Sequence, residues 1–177
     1  MTRANPLPTL WLLSDERNDA VLERALAHLP HGNAFVFRHY HLDYKARRQR
    51  FKRLTAVARA GDHLVILSGA AELAQEWGAD GIYGPPEKLG KLPGLLRLAA
   101  AHNAREIALA NRAGAHGVFL SPVFPTRSHP GGGCLGPEKF RELAVQAEMP
   151  VIALGGMTAG RARGLNWPRW AAIDGFS

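Results

Sequence analysis

Apolar positions along the chain follow two alternating rhythms. Short apolar runs, each closed by polar or glycine residues, occur at Thr9 to Leu13 (TLWLL), Ala34 to Arg38 (AFVFR), His63 to Leu67 (HLVIL), Asp80 to Tyr83, Leu95 to Ala99, Gly117 to Leu120 (GVFL), Val151 to Leu154 (VIAL) and Ala171 to Ile173. Runs of this length, bounded by turn residues, read as strands buried on both faces. Helical stripes lie between them. Leu22, Ala25, Leu26 and Leu29 share one face of a helix from Asn18 to Leu29, and Tyr44, Phe51, Leu54 and Ala58 share one face of a helix from Tyr44 to Ala60. Ala70, Leu73, Ala74 and Trp77 repeat the i, i+3, i+4, i+7 spacing, as do Phe140, Leu143, Ala144 and Ala147 in the helix PEKFRELAVQAE. Asn103 caps a further helix that Gly114 stops.

Two crossovers depart from this rhythm. Gly84 to Gly94 carries three prolines and three glycines, which predicts a loop with at most one helical turn. Thr158 to Leu165 leaves room for a short helix only. Eight strands alternating with helices, joined by right-handed crossovers, predict an α/β fold: a compact (β/α)8 TIM barrel with a reduced fourth helix and a missing final helix, as one domain over residues 1–177. An open doubly wound sheet is the alternative, and it must dismiss two of the eight strands. Without a final helix an apolar flank would need cover from a homodimer contact or the N-terminal segment, with Trp167 and Trp170 nearby. Trp11, Phe35, Phe37 and Trp77 are expected in the core or an interface.

Composition narrows the setting. No run approaches 18 apolar residues, the N-terminus lacks the apolar core of a signal peptide, and the single Cys134 excludes an internal disulfide. A cytoplasmic protein with no membrane association is expected. The net charge of +7 has one main source, six cations between Lys45 and Arg53. That cluster reads first as a solvated helix face. Nucleic-acid binding is not expected, because neither a stacking platform nor a recognised binding motif accompanies it. Steering of anionic substrates is the remaining use.

Chemistry concentrates between His116 and Gly156, where polar residues gather at the C-terminal ends of strands. Gly155-Gly156 brings backbone N–H groups close to an anion, although a plain tight turn would use the same residues. His102 ends the fifth strand and His129 lies in the loop RSHPGGGCLG. Either imidazole could exchange a proton near neutral pH, with His39 a third candidate. Thr126 and Ser128 could bind a ligand or cap their own loop. Pro130 to Gly133 could be a lid or a mobile tip, and Cys134 is not expected to be a nucleophile.

The segments GADGIY (Gly78 to Tyr83), SPVFPT (Ser121 to Thr126), PVIALGGM (Pro150 to Met157) and AAHNAREIALANRAGAHGVFLSPVFPT resemble the thiamine phosphate synthase family and its sister, the thiazole tautomerase TenI. The resemblance covers Gly61 to Ser177 well and the first 60 residues weakly. It implies a (β/α)8 barrel. In the synthases that barrel joins a hydroxymethylpyrimidine diphosphate to a thiazole phosphate and releases pyrophosphate. It also implies that Ile173, Asp174 and Gly175 complete a phosphate cup with Gly155 and Gly156, although Asp174 stands where the family usually has Ser.

Departures from the family pattern shape the expected activity. Ser68-Gly69 replaces an Asn-Asp pair whose Asp binds magnesium, and Lys88 falls near the second magnesium-binding Asp. Of a Gln-x-Arg-x-Lys diphosphate grip only Arg38 remains, and Thr126-Arg127-Ser128-His129 replaces a Thr-x-x-x-Lys. Arg38, Lys88 or Arg127 could offset a diphosphate in place of the metal. The expectation is therefore a thiamine-biosynthesis enzyme that binds a phosphorylated thiazole, either tautomerase-like or a divergent synthase. No cofactor is expected, with Mg2+ needed only if the synthase reaction is retained. A true synthase, a non-catalytic phosphate-ligand-binding barrel and an RNA-associated protein remain as alternatives.

Overall fold

A computed structural model describes residues 6–174 and 176. Gly175, assigned above to the phosphate cup, lies outside the described residues. Eight parallel strands close in chain order: β1 Leu10–Leu13, β2 Ala34–Phe37, β3 Leu64–Ser68, β4 Gly81–Gly84, β5 Leu96–Ala101, β6 Gly117–Leu120, β7 Val151–Ala153 and β8 Trp170–Ala172. β1 pairs with both β2 and β8, which excludes the open sheet. The thinnest seam joins β7 to β8 through the single pair Ala153 and Trp170. Six α-helices are α1 Leu22–His28, α2 Tyr44–Ala60, α3 Ala71–Trp77, α4 Ala104–Ala113, α5 Gly136–Ala144 and α6 Ala159–Leu165. The fourth crossover is the single 3-10 turn Pro86–Lys88, as its prolines predict. Among the described residues no helix follows β8.

Three boundaries moved for identifiable reasons. The first helix begins as a 3-10 segment, Glu16–Val21, under a capping box between Asp15 and Asn18. The Asn18 carboxamide donates to the carbonyls of Leu13 at 2.9 Å and Ile173 at 3.1 Å, stitching the ends of β1 and β8 together. β5 runs two residues past its expected end, because Ala100 and Ala101 pair with Phe119 and Leu120. α5 stops at Ala144 because the Asn111 side chain brackets the next turn. It donates to the Gln146 carbonyl and accepts from the Glu148 amide.

The core has two layers. Trp11, Leu13, Val36, Ile66, Leu98, Phe119 and Ile152 fill the barrel, while Leu12, Phe35, Phe37, Val65 and Leu120 face outward beneath the helices. Gly117 makes room inside: a Cβ there would lie 2.8 Å from Leu7 Cδ1. The described residues before β1 thus pack into the barrel's lower end through Leu7. At the β8 flank Trp170 stacks with Phe176 at 4.7 Å. Trp167 instead donates to the Val151 carbonyl and sits edge-on to Phe140. Trp11 lies inside the barrel, and Trp77 packs on Phe51 between α2 and α3.

The cations of α2 are largely engaged by the protein itself. Arg50 bonds Asp19 and Glu23, Arg53 pairs with Glu23, and Arg48 pairs with Glu76. Arg47 is turned inward onto backbone carbonyls. A helix whose charges are paired in this way offers little to a phosphate backbone, which supports the solvated-face reading over RNA contact. No helix among the described residues is long and apolar enough to cross a membrane.

Candidate functional site

A cavity of about 920 Å³ opens at the C-terminal ends of the strands. His102, Thr126, Ser128, His129, Gly155, Gly156, Ile173, Asp174 and Arg38 all line it, so the described candidates converge on one mouth. β7 and the turn after it place the glycine pair. Gly155 has φ +103° and Gly156 φ +61°, and a Cβ on either would fall 2.5 Å from backbone of the loop after β6. Their carbonyls are used: Gly155 accepts from the Phe124 amide at 3.0 Å, and Gly156 accepts from the Arg161 guanidinium at 2.5 Å. Their N–H groups find no acceptor among the described residues. Two free amides beside a guanidinium form a fitting cradle for an anion.

Across the cavity, His102 follows β5 and precedes the Asn103 cap of α4. The Glu106 carboxylate accepts from both the His102 amide at 2.6 Å and the ring Nδ1 at 2.9 Å. A carboxylate only accepts, so Nδ1 carries a proton and Nε2 of the neutral ring is left with its lone pair. That pairing is how a carboxylate orients an imidazole for proton transfer. Among the described residues the His129 ring has no comparable partner; its backbone amide donates to the Thr126 hydroxyl at 3.2 Å and its carbonyl accepts from Gly132 at 3.0 Å.

Tyr83 forms the aromatic floor, edge-on to Phe119 at 5.1 Å. Burial pushes its phenol up to about 12, so it is a neutral donor throughout the physiological range.

Several expectations need revision. His39 is buried away from the cavity, between the Ser14 hydroxyl at 2.8 Å and Asp19 at 2.6 Å, and stacked on Phe37. Burial holds its imidazole below the usual range and outweighs Asp19, so it serves the packing. Arg38 lines the cavity but is tied to the Ser14 carbonyl at 2.8 Å and to Asp15 at 3.2 Å. The Asp15 carboxyl is raised by burial yet held below its ordinary range by the Arg17 amide and by Arg38 and Arg17. Thr126 is spent on a loop cap, and Ser128 accepts from Arg17 at 2.9 Å.

Arg17, Tyr83, Glu106 and Arg161 were missed. Tyr83 ends its apolar run and Arg17 lies within the polar run after β1. Glu106 stands at the capping distance from Asn103, and Arg161 three residues after the cap Thr158. Only the first two positions carry a recognisable hint.

The ends of β2 and β3 do not fit a magnesium ion. The Ser68 hydroxyl is bonded to Tyr40, and the Ser68 and Arg38 carbonyls both accept from Arg47. That guanidinium lies 5.5 Å from the Phe37 ring centre and 5.8 Å from that of Trp77. A fixed cation on the available oxygens repels a second one, and a hard metal needs carboxylates that these positions lack. No group of three or more His, Cys, Asp or Glu side chains suited to a metal occurs among the described residues.

A closed parallel barrel whose C-terminal mouth carries a glycine pair and a carboxylate-oriented histidine defines a protein of the (β/α)8 class. Residues 10–167 match the family described as thiamine monophosphate synthase, and the chain belongs to that family. It is 30% identical over 134 residues to a thiamine biosynthesis bifunctional protein of Symbiobacterium thermophilum, covering 71% of this chain and 28% of that one. It is 34% identical over 110 residues to a thiamine-phosphate synthase of Geobacillus thermodenitrificans, covering 55% of this chain and 48% of that one. The aligned stretches span less than two thirds of the curated relatives' own lengths. A thiamine phosphate pyrophosphorylase structure from Pyrococcus furiosus superposes with a TM-score of 0.76 at 24% identity, covering 93% of this chain and 85% of that one, which shows the shared fold.

Proposed function

We propose that this chain is a cytoplasmic thiamine-biosynthesis enzyme, working as one domain in a homodimer, that binds a phosphorylated thiazole and moves a proton on its ring. The carrying observation is that one half of the site is open while the other is occupied. The cradle of Gly155 and Gly156, with Arg161, faces the cavity together with His102. Arg47, Ser68 and Tyr40 close the ends of β2 and β3, where a synthase would hold its metal and diphosphate.

The phosphate would sit on the two glycine amides and the Arg161 guanidinium, with Ile173 and Asp174 also lining the mouth. His102 Nε2 would accept a proton from one ring carbon and return it to the neighbouring ring atom, leaving the molecular formula unchanged. Glu106 holds the ring in the tautomer that can do this and stabilises the imidazolium that forms. The Tyr83 phenol would donate to a polar atom of the heterocycle, and His129, with Thr126 and Ser128, belongs to the loop that closes over it. No cofactor takes part.

Incubation with a phosphorylated thiazole tautomer in D2O tests this directly. NMR is expected to show deuterium entering the ring in the wild type, with His102→Ala slower by about 10²–10⁴ and Glu106→Gln intermediate. Thiamine phosphate formed from both synthase substrates at an ordinary enzymatic rate would overturn the tautomerase-like role in favour of the synthase. Phosphate binding without exchange would favour the non-catalytic barrel.

A further inference from the structure

Asp174 is an obstacle within the cavity just described, because a carboxylate beside a phosphate cradle repels the ligand. It follows β8 and lines the same mouth as Gly155 and Gly156. Arg17 answers it from the other side of the barrel seam. Its Nη1 lies 4.0 Å from the Asp174 carboxylate, its Nη2 donates to the Ser128 hydroxyl at 2.9 Å, and its Nε donates to Asp15 at 3.3 Å. One guanidinium therefore links the ends of β1 and β8 with the Gly-rich loop after β6.

The geometry of these three contacts is unequal. A separation of 4.0 Å is an ion pair without a full hydrogen bond, so Nη1 can turn toward an incoming oxyanion at small loss. Of the other cations lining the mouth, Arg38 is held by Asp15 and Ser14, Arg161 bonds the Gly156 carbonyl within the cradle, and Arg127 lies on the same loop as Ser128. Arg17 is the cation whose acidic neighbour lies in the cavity itself.

We propose that Arg17 is a phosphate-binding residue that screens Asp174 and, through Ser128, draws the loop from Thr126 to Gly133 over the bound phosphate. This rests on the phosphate reading of the glycine cradle and adds to it a residue and a closing device. Before binding, the guanidinium balances Asp174. Once the phosphate arrives, the guanidinium is shared between the two anions while its bond to Ser128 holds the loop down.

Titration calorimetry with inorganic phosphate and with thiazole phosphate, on the full chain, tests it. Arg17→Ala is expected to weaken both about 30-fold, and Arg17→Lys less, because an ammonium supplies charge without the fork. Asp174→Asn is expected to tighten binding several-fold, and the double variant to return within about 3-fold of wild type, a non-additivity that a merely structural arginine would not give. Limited proteolysis reads the loop: phosphate is expected to protect residues 126–133 in the wild type. Ser128→Ala is expected to lose that protection and, because closure and binding are linked, to weaken phosphate binding by less than Arg17→Ala does.

Wild-type binding that Arg17→Ala leaves unchanged would overturn the role of Arg17 and leave the cradle standing. A double variant no better than Arg17→Ala would do the same. Wild-type protein that binds no phosphate would overturn the cradle itself and this proposal with it. Should Arg17→Ala fail to fold, the Arg17→Lys and Asp174→Asn arms still decide.

Discussion

Replacing Gly155 by alanine tests the geometry of the cradle most sharply. At φ +103° an L-residue sits outside its allowed regions, at a cost of about 1–3 kcal/mol. The new Cβ would lie 2.5 Å from Pro122 Cα, 2.7 Å from Pro122 Cβ and 3.0 Å from the Val123 nitrogen. Two hydrogen bonds prevent that backbone from retreating. The Val123 amide donates to the Leu154 carbonyl at 2.9 Å, and the Leu135 amide to the Pro122 carbonyl at 2.8 Å. Such overpacking adds about 1–3 kcal/mol. Together these give about 2–6 kcal/mol, or a drop in Tm of about 5–20 °C for a chain of this length.

Gly133→Ala is the matched control, since a methyl group there would have no atom within 4 Å and the backbone lies outside the left-handed region. It is expected to stay within about 0.5 kcal/mol of wild type. Thermal unfolding by circular dichroism reads both variants, and phosphate titration below the transition reads the cradle. A Gly155→Ala protein melting within about 2 °C of wild type would refute the steric reasoning.

Two further outcomes follow from the charges. Burial holds the His39 and His63 imidazoles below their ordinary range, so each takes up its proton at lower pH in the folded protein than in the unfolded chain. The unfolded chain then binds more protons below about pH 6.5, and stability falls as pH drops from there, by at most about 1.4 kcal/mol per pH unit for each histidine. Urea unfolding between about pH 7.5 and 5.5, which brackets the unfolded imidazole's range, should show that slope in the wild type and a shallower one in His63→Gln; equal slopes would refute it. Arg50→Ala leaves Asp19 and Glu23 without their shared partner and is expected to cost about 1–3 kcal/mol in denaturant unfolding. RNA retention in a gel-shift assay should be negligible for both proteins. Tight wild-type RNA binding that is lost in the variant would restore the nucleic-acid reading.

The sequence by itself determined the layout: eight apolar runs, the helices between them, the single turn at Pro86–Lys88, and the glycine pair at a strand's end. These depend on neighbours within a few residues, since strand alternation, helical spacing, caps and turn residues act locally. The replacement of the family's metal-binding aspartates by Ser68-Gly69 and, near β4, by Lys88 was legible for the same reason. Tertiary structure alone decided which of the scattered polar groups face the mouth. Arg17 meets Ser128 across 111 positions of chain, and Arg38 lines the mouth while paired with Asp15 from the neighbouring strand's end. His39 vanished into the wall because left-handed backbone at φ +43° carries its ring onto Phe37. Closing the barrel brings eight distant loops within a few ångströms of one another. Partner choice there follows from distance and desolvation after closure, quantities that no stretch of linear sequence contains.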